Sequence, residues 1–472
     1  MKRLPPLQAA GLTLLLASLS ACSSMAPDYQ RPAAPVPAQF SDAGSVVQAA
    51  DSAVADLPWQ SFFGDAALQQ LVQTALDNNR DLRVALLNVE QYRAQADIKD
   101  ADRWPSLAAG LGATREVTVG VPLSTVYSAG VLMTSYEIDL FGRLRSLSDA
   151  ALAQYLSTRE ASKAAQISLI GAVATAYYGL HADTQLLRLA QDTVQTRESS
   201  LRLVQLRFAQ GASTQLDLSQ AEALLQAARV SLAQTSRQLQ QDQNALALLL
   251  GQALSPAQKA QLAQDATPSL PDLPGALRSE LLLRRPDVLQ AEQQLIAANA
   301  NIGAARANFF PKINLTGSIG SASTDLSGLF QDGSFAWTLA PQLLLPIFDA
   351  GRNQASLKVA EVGRDMALAQ YEKAIQSAFR EVADALAARS TLAEQLQAQQ
   401  AQTRAARQIA QLTDLRFEHG AASSLEVLDA QRSLYAAQQA EIQLQSQVQQ
   451  ALATLYRVLG GGWTAPATPA AS

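Results

Sequence analysis

LRFAQGASTQLDLSQAE, residues 206–222, and LRFEHGAASSLEVLDAQ, residues 415–431, are two copies of one motif. The second copy follows the first at an offset of 209 residues (415 − 206). Each copy places a glycine, Gly211 or Gly420, before small hydroxylated residues and between tracts rich in Ala, Leu and Gln. Glycine often follows the last turn of a helix, because it adopts the left-handed conformation without steric cost. Each copy therefore predicts a tight turn between two long helices.

The repeat continues on both sides of these turns. Gly142 and Arg143 recur as Gly351 and Arg352 at the same offset of 209 residues. Residues 123–255 and 347–465 contain no proline, and apolar residues in the first tract keep a spacing of three or four. A helix over 143–210 would be about 100 Å long at 1.5 Å per residue, too long for a compact domain. We expect a duplicated unit of helix, two strands, very long helix, turn and long helix.

The two segments that interrupt the helices, 106–141 and 312–348, differ from the helices in amino-acid composition. They are rich in Gly, Val, Thr and aromatic residues, and apolar positions alternate with polar ones. This pattern predicts two strands in each segment, with one face toward lipid and one toward water. The turn of the first pair is expected near Val121 and Pro122. Three aromatic residues are candidates either for an interfacial belt or for ordinary packing: Tyr136, Phe335 and Trp337.

Four strands cannot close a barrel, and an open sheet edge is not tolerated in lipid. Eight strands from two chains would leave little room inside, whereas twelve strands from three chains leave space for a pore. The predicted fold class is therefore mainly α with a membrane β-barrel contribution. Each chain of a trimer would add four strands to a twelve-stranded barrel, which continues into a long α-helical periplasmic tunnel.

The N-terminus carries an export signal. Lys2 and Arg3 precede an apolar run too short to cross a bilayer, and the run ends in Leu-Ser-Ala-Cys at 19–22. Cys22 is the only cysteine, and its position predicts cleavage and diacylation, which contributes about 0.8 kcal/mol per buried CH₂. The alternative is a buried cysteine within an uncleaved helix. Ser23 favours the outer membrane, because Asp at this place often retains lipoproteins in the inner one.

Charge and motif content exclude several other functions. The formal net charge of −5 becomes −7 without Lys2 and Arg3, so no basic surface for nucleic acid is expected. His181 and His419 are the only histidines, and neither lies in a metal-binding or nucleophile motif. No phosphate loop or dinucleotide fingerprint is present. We therefore expect no catalytic site, metal or cofactor.

The expected organisation follows the composition along the chain. Proline-rich segments separate the helical and strand-forming parts. The predicted segments are a signal peptide (1–21), a lipidated arm (22–60), equatorial and tunnel helices (61–104), strands 1 and 2 (105–141), a tunnel hairpin (142–250), an equatorial linker (251–280), a helix (281–310), strands 3 and 4 (311–348), a second tunnel hairpin (349–460) and a tail (461–472).

Several short motifs resemble one known family. They are DLFG at 139–142, RRPD at 284–287, NFFPKINL at 308–315 and LDAQRSLYAAQQ at 428–439. With the lipobox and the twofold repeat, they are similar to outer-membrane efflux lipoproteins of the NodT and OprM group in the TolC superfamily. The resemblance implies a homotrimer that joins a periplasmic adaptor (membrane fusion) protein and an inner-membrane RND-type pump. It implies passive export of drugs, solvents or other small toxic molecules through the outer membrane.

The resemblance also implies a periplasmic gate at the helix tips. Leu425, Asp429 and Arg432 match the family's gate residues, and their spacing places them on one helix face. In a trimer they would meet their own copies, and salt links between neighbours would close the entrance. The alternative is an exposed ion pair worth about 0.3–0.5 kcal/mol.

The first repeat lacks this pattern, since Gln220 and Ala223 stand where Asp429 and Arg432 stand in the second. Asp217 is either an additional acidic ring at the gate or part of a solvated helix face. Gly211 and Gly420 are expected to form the turns that meet the adaptor. Two other functions are less favoured: a coiled-coil lipoprotein spacer without a pore, which has no use for alternating segments such as Lys312–Ile319, and a periplasmic hydrolase, for which the residues provide no catalytic constellation.

Overall fold

The computed structural model describes residues 24–40, 58–116, 124–262 and 279–461. The chain forms two compact units. Unit 1 comprises Met1–Ala34, Leu87–Glu160 and Leu289–Ala374, and unit 2 comprises Pro35–Leu86, Ala161–Val288 and Ile375–Ser472. Cys22, the turn near Val121 and Pro122, most of the predicted equatorial linker and the tail after residue 461 lie outside the described residues.

The elements alternate along the chain as a helix, two strands and a helical hairpin, twice over. In chain order they are α1 (Trp59–Phe62), α2 (Ala66–Asn78), α3 (Arg80–Ala101), β1 (Leu107–Glu116), β2 (Ser124–Ile138), α4 (Arg143–Ala209), α5 (Gln215–Leu250), α6 (Pro256–Leu262), a 3₁₀ turn (Ser279–Arg284), α7 (Pro286–Ala307), β3 (Lys312–Ser323), a 3₁₀ turn (Leu326–Gly328), β4 (Phe335–Leu344), α8 (Arg352–Glu418) and α9 (Ser424–Val458).

The lengths of equivalent helices confirm the duplication. The helices before the strand pairs, α3 and α7, have 22 residues each. The helices after the strand pairs, α4 and α8, have 67 residues each, which corresponds to about 100 Å of unbroken helix. Both long helices have residues in each unit. Within the described residues, no helix has the length and apolar content that a membrane crossing requires.

Unit 1 contains a four-stranded antiparallel sheet in the order β1-β2-β3-β4. Each strand therefore pairs with its neighbour in sequence, and the outer edges of β1 and β4 have no partner strand among the described residues of the chain. Pro341 lies within β4, opposite Leu315, and β4 is an edge strand of the sheet. An edge strand can contain proline, because only one of its edges needs hydrogen-bond donors.

Two glycines allow β2 and β3 to approach closely. Gly130 pairs with Gly320 across the two strands. A Cβ atom on Gly320 would overlap the carbonyl oxygen of Ala129, and one on Gly130 would overlap that of Ile319. A side chain at either position would force the strands apart, so this part of the sheet depends on glycine.

Unit 2 is centred on an aromatic core and a buried arginine. Phe62 stacks on Tyr456 with 4.2 Å between ring centroids, and Phe63 packs edge-on against the same ring. Arg285, from the RRPD motif, donates to both carboxylate oxygens of Asp287, to Glu381 and to the carbonyl of Val458. It thereby joins the start of α7 to α8 and to the end of α9.

Candidate functional site: the tips of the helical hairpins

The two turns predicted from the repeat have the same backbone geometry. Gly211 and Gly420 have φ angles of 71° and 73°, in the left-handed region. The next residue, Ala212 or Ala421, donates its N–H five residues back, to Arg207 or Arg416, at 2.8 and 2.7 Å. This pattern ends α4 and α8 with the glycine motif that satisfies the last carbonyl groups of a helix.

A capping box begins the second helix of each hairpin. In the first tip, the Thr214 hydroxyl accepts the Asp217 N–H at 3.2 Å, and Asp217 accepts the Thr214 N–H at 2.9 Å. In the second tip, Ser423 and Glu426 exchange the equivalent bonds at 3.2 and 2.7 Å. These caps satisfy N–H groups that a helix start would leave unpaired.

Hydrogen bonds lower the pKa of the Asp217 carboxylate to about 2, first from the Thr214 N–H and then from the hydroxyls of Thr214, Ser213 and Ser424. The Ser423 N–H likewise lowers the pKa of Glu426. Both acids are therefore ionised throughout the physiological pH range. Asp217, a candidate for the gate, is thus also part of the capping box at the start of α5.

The tips of the two repeats contact each other. The Ser424 hydroxyl, at the start of α9, donates to Asp217 at the start of α5 over 3.2 Å. The guanidinium carbon of Arg207 lies 4.6 Å from the centre of the Phe417 ring, a cation–π contact between α4 and α8. These two contacts join the hairpins at their tips, one just before the two turns and one just after them.

The three predicted gate residues lie on α9, as the spacing had indicated. Asp429 and Arg432 form an ion pair one turn apart, and both side chains are more than half exposed. Leu425, one turn before Asp429, is also exposed. Within one chain this pair is worth at most about 0.5 kcal/mol. An exposed ion pair beside an exposed leucine leaves these groups available to other chains.

Behind this face lies a partly buried series of hydrogen-bonded side chains that the sequence did not reveal. Arg197, on α4, is only 6% exposed and donates to the Gln431 side-chain oxygen at 2.5 Å. The Gln431 amide donates to Asp414, on α8, at 3.4 Å. Burial lowers the pKa of Arg197 and raises that of Asp414. Gln431 lies between Asp429 and Arg432 in sequence. These hydrogen bonds therefore hold the part of α9 that carries the predicted gate residues against α4 and α8.

A second hydrogen bond between helices lies one turn further along α9. The hydroxyls of Ser231, on α5, and Tyr435 are 2.7 Å apart, and Gln439 donates to Tyr435 at 2.9 Å.

The burial of Arg197 left one trace in the sequence. Arg197 follows Ala190 by seven residues, so the two side chains lie on the same face of α4, and Ala190 is buried. A charge at a core position indicates a buried partner without identifying it.

The two histidines do not form a common site. His181 is buried on α4 and lines a cavity of about 20 Å³, with Tyr178, Ser446 and Gln449 among the other lining residues. His419 is exposed at the end of α8, with Nδ1 2.8 Å from the carbonyl oxygen of Leu415. The described residues contain no group of three or more His, Cys, Asp or Glu side chains that could hold a metal ion.

Two very long helical hairpins, with a four-stranded sheet whose outer strands have no further partner among the described residues, suit a channel protein of the outer membrane. Residues 71–252 and 277–461 match the outer membrane efflux protein family. The chain belongs to this family, whose members are transport conduits rather than enzymes.

Individual relatives support the same assignment along the whole chain. It is 46% identical to the probable efflux pump outer membrane protein TtgC of Pseudomonas putida over 459 residues, 94% of this chain and 93% of the relative. It is 46% identical to outer membrane protein OprJ of Pseudomonas aeruginosa over 464 residues, 95% of each chain. It is 43% identical to the cation efflux system protein CusC of Escherichia coli O157:H7 over 448 residues, 94% of this chain and 97% of the relative.

Solved structures resemble the fold equally closely. A membrane protein from Pseudomonas aeruginosa has a TM-score of 0.85 and 44% identity, with 93% of this chain and 98% of that chain covered. The open state of the MtrE outer membrane channel of Neisseria gonorrhoeae has a TM-score of 0.83 and 39% identity, with the same coverage. The predicted family, fold class, outer-membrane location and efflux function are confirmed by these comparisons, and the spacer without a pore is not favoured.

Proposed function

We propose that three copies of this chain form the outer-membrane exit channel of a tripartite efflux pump. The observation that carries the proposal is the free outer edge of β1 and of β4 in the described sheet. Backbone groups without hydrogen-bond partners are too costly to expose to lipid, so each edge must pair with the edge of another chain. Joining β4 of one copy to β1 of the next closes twelve strands around a pore.

The gate of this channel is the exposed face of α9. In a trimer, Leu425, Asp429 and Arg432 of each copy meet those of the other copies. Salt links between Asp429 and Arg432 of neighbouring copies hold the entrance shut, and breaking them widens it. Asp217 supports the gate by holding Ser424, the residue before Leu425, through the 3.2 Å hydrogen bond.

The hairpin turns are the proposed contact for a periplasmic adaptor protein. The turns at Gly211 and Gly420 carry exposed leucines on the helices beside them, including Leu206, Leu216 and Leu415. Exposed apolar side chains at a helix tip are available for burial against a partner. The adaptor would join the channel to an inner-membrane RND-type pump, which supplies the energy, so this chain conducts passively.

The transported molecules are proposed as small toxic compounds, without a narrower class. Relatives from Pseudomonas putida are named for antibiotic efflux and for toluene efflux, and the Escherichia coli relative is named for cation efflux. Relatives of similar identity thus carry names with different substrates. This agrees with a conduit whose substrate is selected by the pump that feeds it.

Single-channel recording tests the proposed function. The purified, acylated protein is added to a planar lipid bilayer at increasing concentration. We expect discrete conductance steps whose frequency rises with protein concentration. A bilayer that stays silent while the protein is shown to have inserted would contradict the channel and favour the coiled-coil spacer.

A further inference from the structure

The cavity beside His181 lies between α4 and α9, within unit 2. Its lining includes Tyr178, His181 and Gln185 from α4, and Gln445, Ser446 and Gln449 from α9. Residues three or four positions apart lie on the same side of a helix, so one face of α4 meets one face of α9 at this level. The cavity is therefore part of the interface between the two helices.

Two buried oxygen atoms of the lining have no hydrogen-bond partner within the described part of the chain. They are the hydroxyl oxygen of Tyr178 and the side-chain carbonyl oxygen of Gln449. Tyr178 is only 3% exposed, so the surrounding solvent does not supply the partner. Buried polar atoms in folded proteins are nearly always hydrogen-bonded, because an unpaired one loses the bonds that it made to water. Two such atoms beside one cavity indicate a small polar molecule that bonds to both.

The polar groups around the cavity are complementary. Burial raises the pKa of Tyr178, so its hydroxyl keeps its proton and can donate it. The Gln449 oxygen can only accept. The Ser446 hydroxyl donates to the Tyr178 carbonyl at 3.1 Å and accepts from Gln450 at 3.0 Å, and a hydroxyl oxygen has a second lone pair. The site thus offers one donor and two acceptors.

Two other polar groups of the lining are bonded within their own helix. The Gln185 amide nitrogen lies 3.3 Å from Nδ1 of His181, one turn earlier on α4. The Gln445 amide donates to Glu441, one turn earlier on α9, at 3.5 Å. Neither contact joins the two helices. A molecule bonded to Tyr178 and Gln449 would join them.

The size and the chemistry of the cavity fit a water molecule. A buried water needs at least about 10–15 Å³ and two to four polar partners, and this cavity has a volume of about 20 Å³. A drug-sized ligand needs about 300 Å³ or more. The described residues that line the cavity include no Asp or Glu, so a divalent cation would lack the carboxylate ligands that it prefers.

We propose that this cavity is a binding site for one ordered water molecule that joins α4 to α9. The water accepts a hydrogen bond from the Tyr178 hydroxyl and donates to the Gln449 oxygen and to the Ser446 hydroxyl. A water bridge of this kind is nearly as favourable as a direct hydrogen bond. The proposal concerns the packing of unit 2 and does not depend on the proposed channel.

The water bridge and the direct contact at Arg197 hold the same two helices at different levels. Gln449 follows Gln431, the partner of Arg197, by 18 residues of α9 (449 − 431). At 1.5 Å per residue, the two contacts are about 27 Å apart. The water thus secures α9 to α4 well away from the hairpin tips, where the direct hydrogen bond lies.

Tyr178→Phe distinguishes a bridged hydroxyl from an unpaired one. If water is bound, the variant removes one of its partners, and we expect the thermal unfolding temperature of the purified protein in detergent to fall by about 1–3 °C. If the hydroxyl is unpaired, the variant removes a costly polar atom, and the unfolding temperature should stay the same or rise. The substitution keeps the ring, so packing changes little.

A double-mutant cycle measures whether the two oxygens share one molecule. Because Tyr178→Phe already weakens the bridge, Gln449→Leu has less to lose in its presence. The double variant should therefore lower the unfolding temperature by less than the sum of the two single variants. Gln447→Leu, at an exposed position of α9, is the control, and its effect should add to that of Tyr178→Phe.

A high-resolution structure of the parent protein locates the molecule directly. We expect one density peak within hydrogen-bond distance of the Tyr178 and Gln449 oxygens, and none in the double variant. A higher or unchanged unfolding temperature of Tyr178→Phe would overturn the proposal, as would additive effects of Tyr178→Phe and Gln449→Leu. Greater stability in KCl than in N-methylglucamine chloride, lost in Gln449→Leu, would identify a cation instead of water and would also overturn it.

Discussion

Arg197 on α4 and Gln431 on α9 are joined by a partly buried hydrogen bond of 2.5 Å. Gln431 is one residue away from Arg432, whose ion pair with Asp429 lies on the exposed face of the same helix. One face of α9 therefore faces the core through a polar contact, while the other carries the proposed gate. Movement of this part of α9 must break the Arg197–Gln431 bond or carry α4 with it.

Replacing the buried arginine should loosen the gate. Arg197→Met removes the hydrogen-bond donor to the Gln431 side-chain oxygen and the positive charge near Asp414, while Gln431 can still donate to Asp414. The expected cost is about 1–3 kcal/mol. We expect a lower thermal unfolding temperature and a higher open probability in single-channel recordings. Arg202→Met, which removes an exposed arginine from the same helix, is the control and should leave both quantities unchanged. Equal effects of the two variants would show that Arg197 has no special role at α9.

Removing the gate charges should widen the entrance. Asp429→Ala with Arg432→Ala abolishes the proposed links between copies, so we expect increased conductance and altered antibiotic sensitivity in a strain that depends on this channel. Lys99→Ala with Asp102→Ala removes another exposed pair three residues apart and should change neither. Unchanged conductance together with unchanged sensitivity in the Asp429/Arg432 variant would reject the gate assignment.

The acidic pair between α4 and α5 should make stability depend on pH. Burial raises the pKa of Asp183 to about 7, and its hydrogen bond with Asp242 acts in the same direction. The folded chain therefore binds a proton that the unfolded chain, with a pKa near 3.9, has already lost. The free energy of unfolding should fall as pH rises from about 4 to about 7, and this contribution should level off above pH 7.

Thermal unfolding between pH 4 and pH 8 measures the contribution of Asp183 to the stability of the chain. Asp183→Asn should show a flatter dependence than the parent chain, with a gain in stability at pH 8. Asp192→Asn, at an exposed position of the same helix, should keep the parent slope. The same slope in the parent chain and in Asp183→Asn would mean that Asp183 is ionised in the folded chain.

The close approach of β2 and β3 should not tolerate a methyl group. Gly320→Ala places a Cβ atom against the Ala129 carbonyl, so we expect loss of β signal in far-ultraviolet dichroism and fewer assembled channels. Gly363→Ala, on α8 where no atom lies within 4 Å of a new Cβ, should instead stabilise its helix by about 0.5–1 kcal/mol. Normal assembly of the Gly320 variant would mean that the two strands can separate without cost.

Much of the fold was predictable because its signals are local. Proline-free tracts and apolar spacing predicted the 67-residue helix Arg143–Ala209, and the repeated glycines predicted both turns. Alternation predicted the strands, including Lys312–Ser323. The short motifs that resemble the family predicted the location in the outer membrane, which the spacing of apolar residues alone could not predict.

The details of the site depend on tertiary contacts, which leave weaker traces in sequence. An arginine on a helix usually faces solvent. The burial of Arg197 is explained by its hydrogen bond to Gln431, which lies 234 positions later in the sequence. Asp217 was considered for an acidic ring, but it lies three positions after Thr214, which is the spacing of a capping box. The gate roles of Leu425, Asp429, Arg432 and Asp217 stay predictions, because they require contacts between chains.

The mass of the assembled protein tests the central claim most directly. The acylated chain is purified in mild detergent and its oligomeric mass is measured by native mass spectrometry, with far-ultraviolet dichroism on the same sample. If the edges of β1 and β4 pair between copies around a twelve-stranded pore, we expect a mass of three chains together with a β signal. A stable monomer that retains its β signal would show that these edges need no partner, and would contradict the shared barrel.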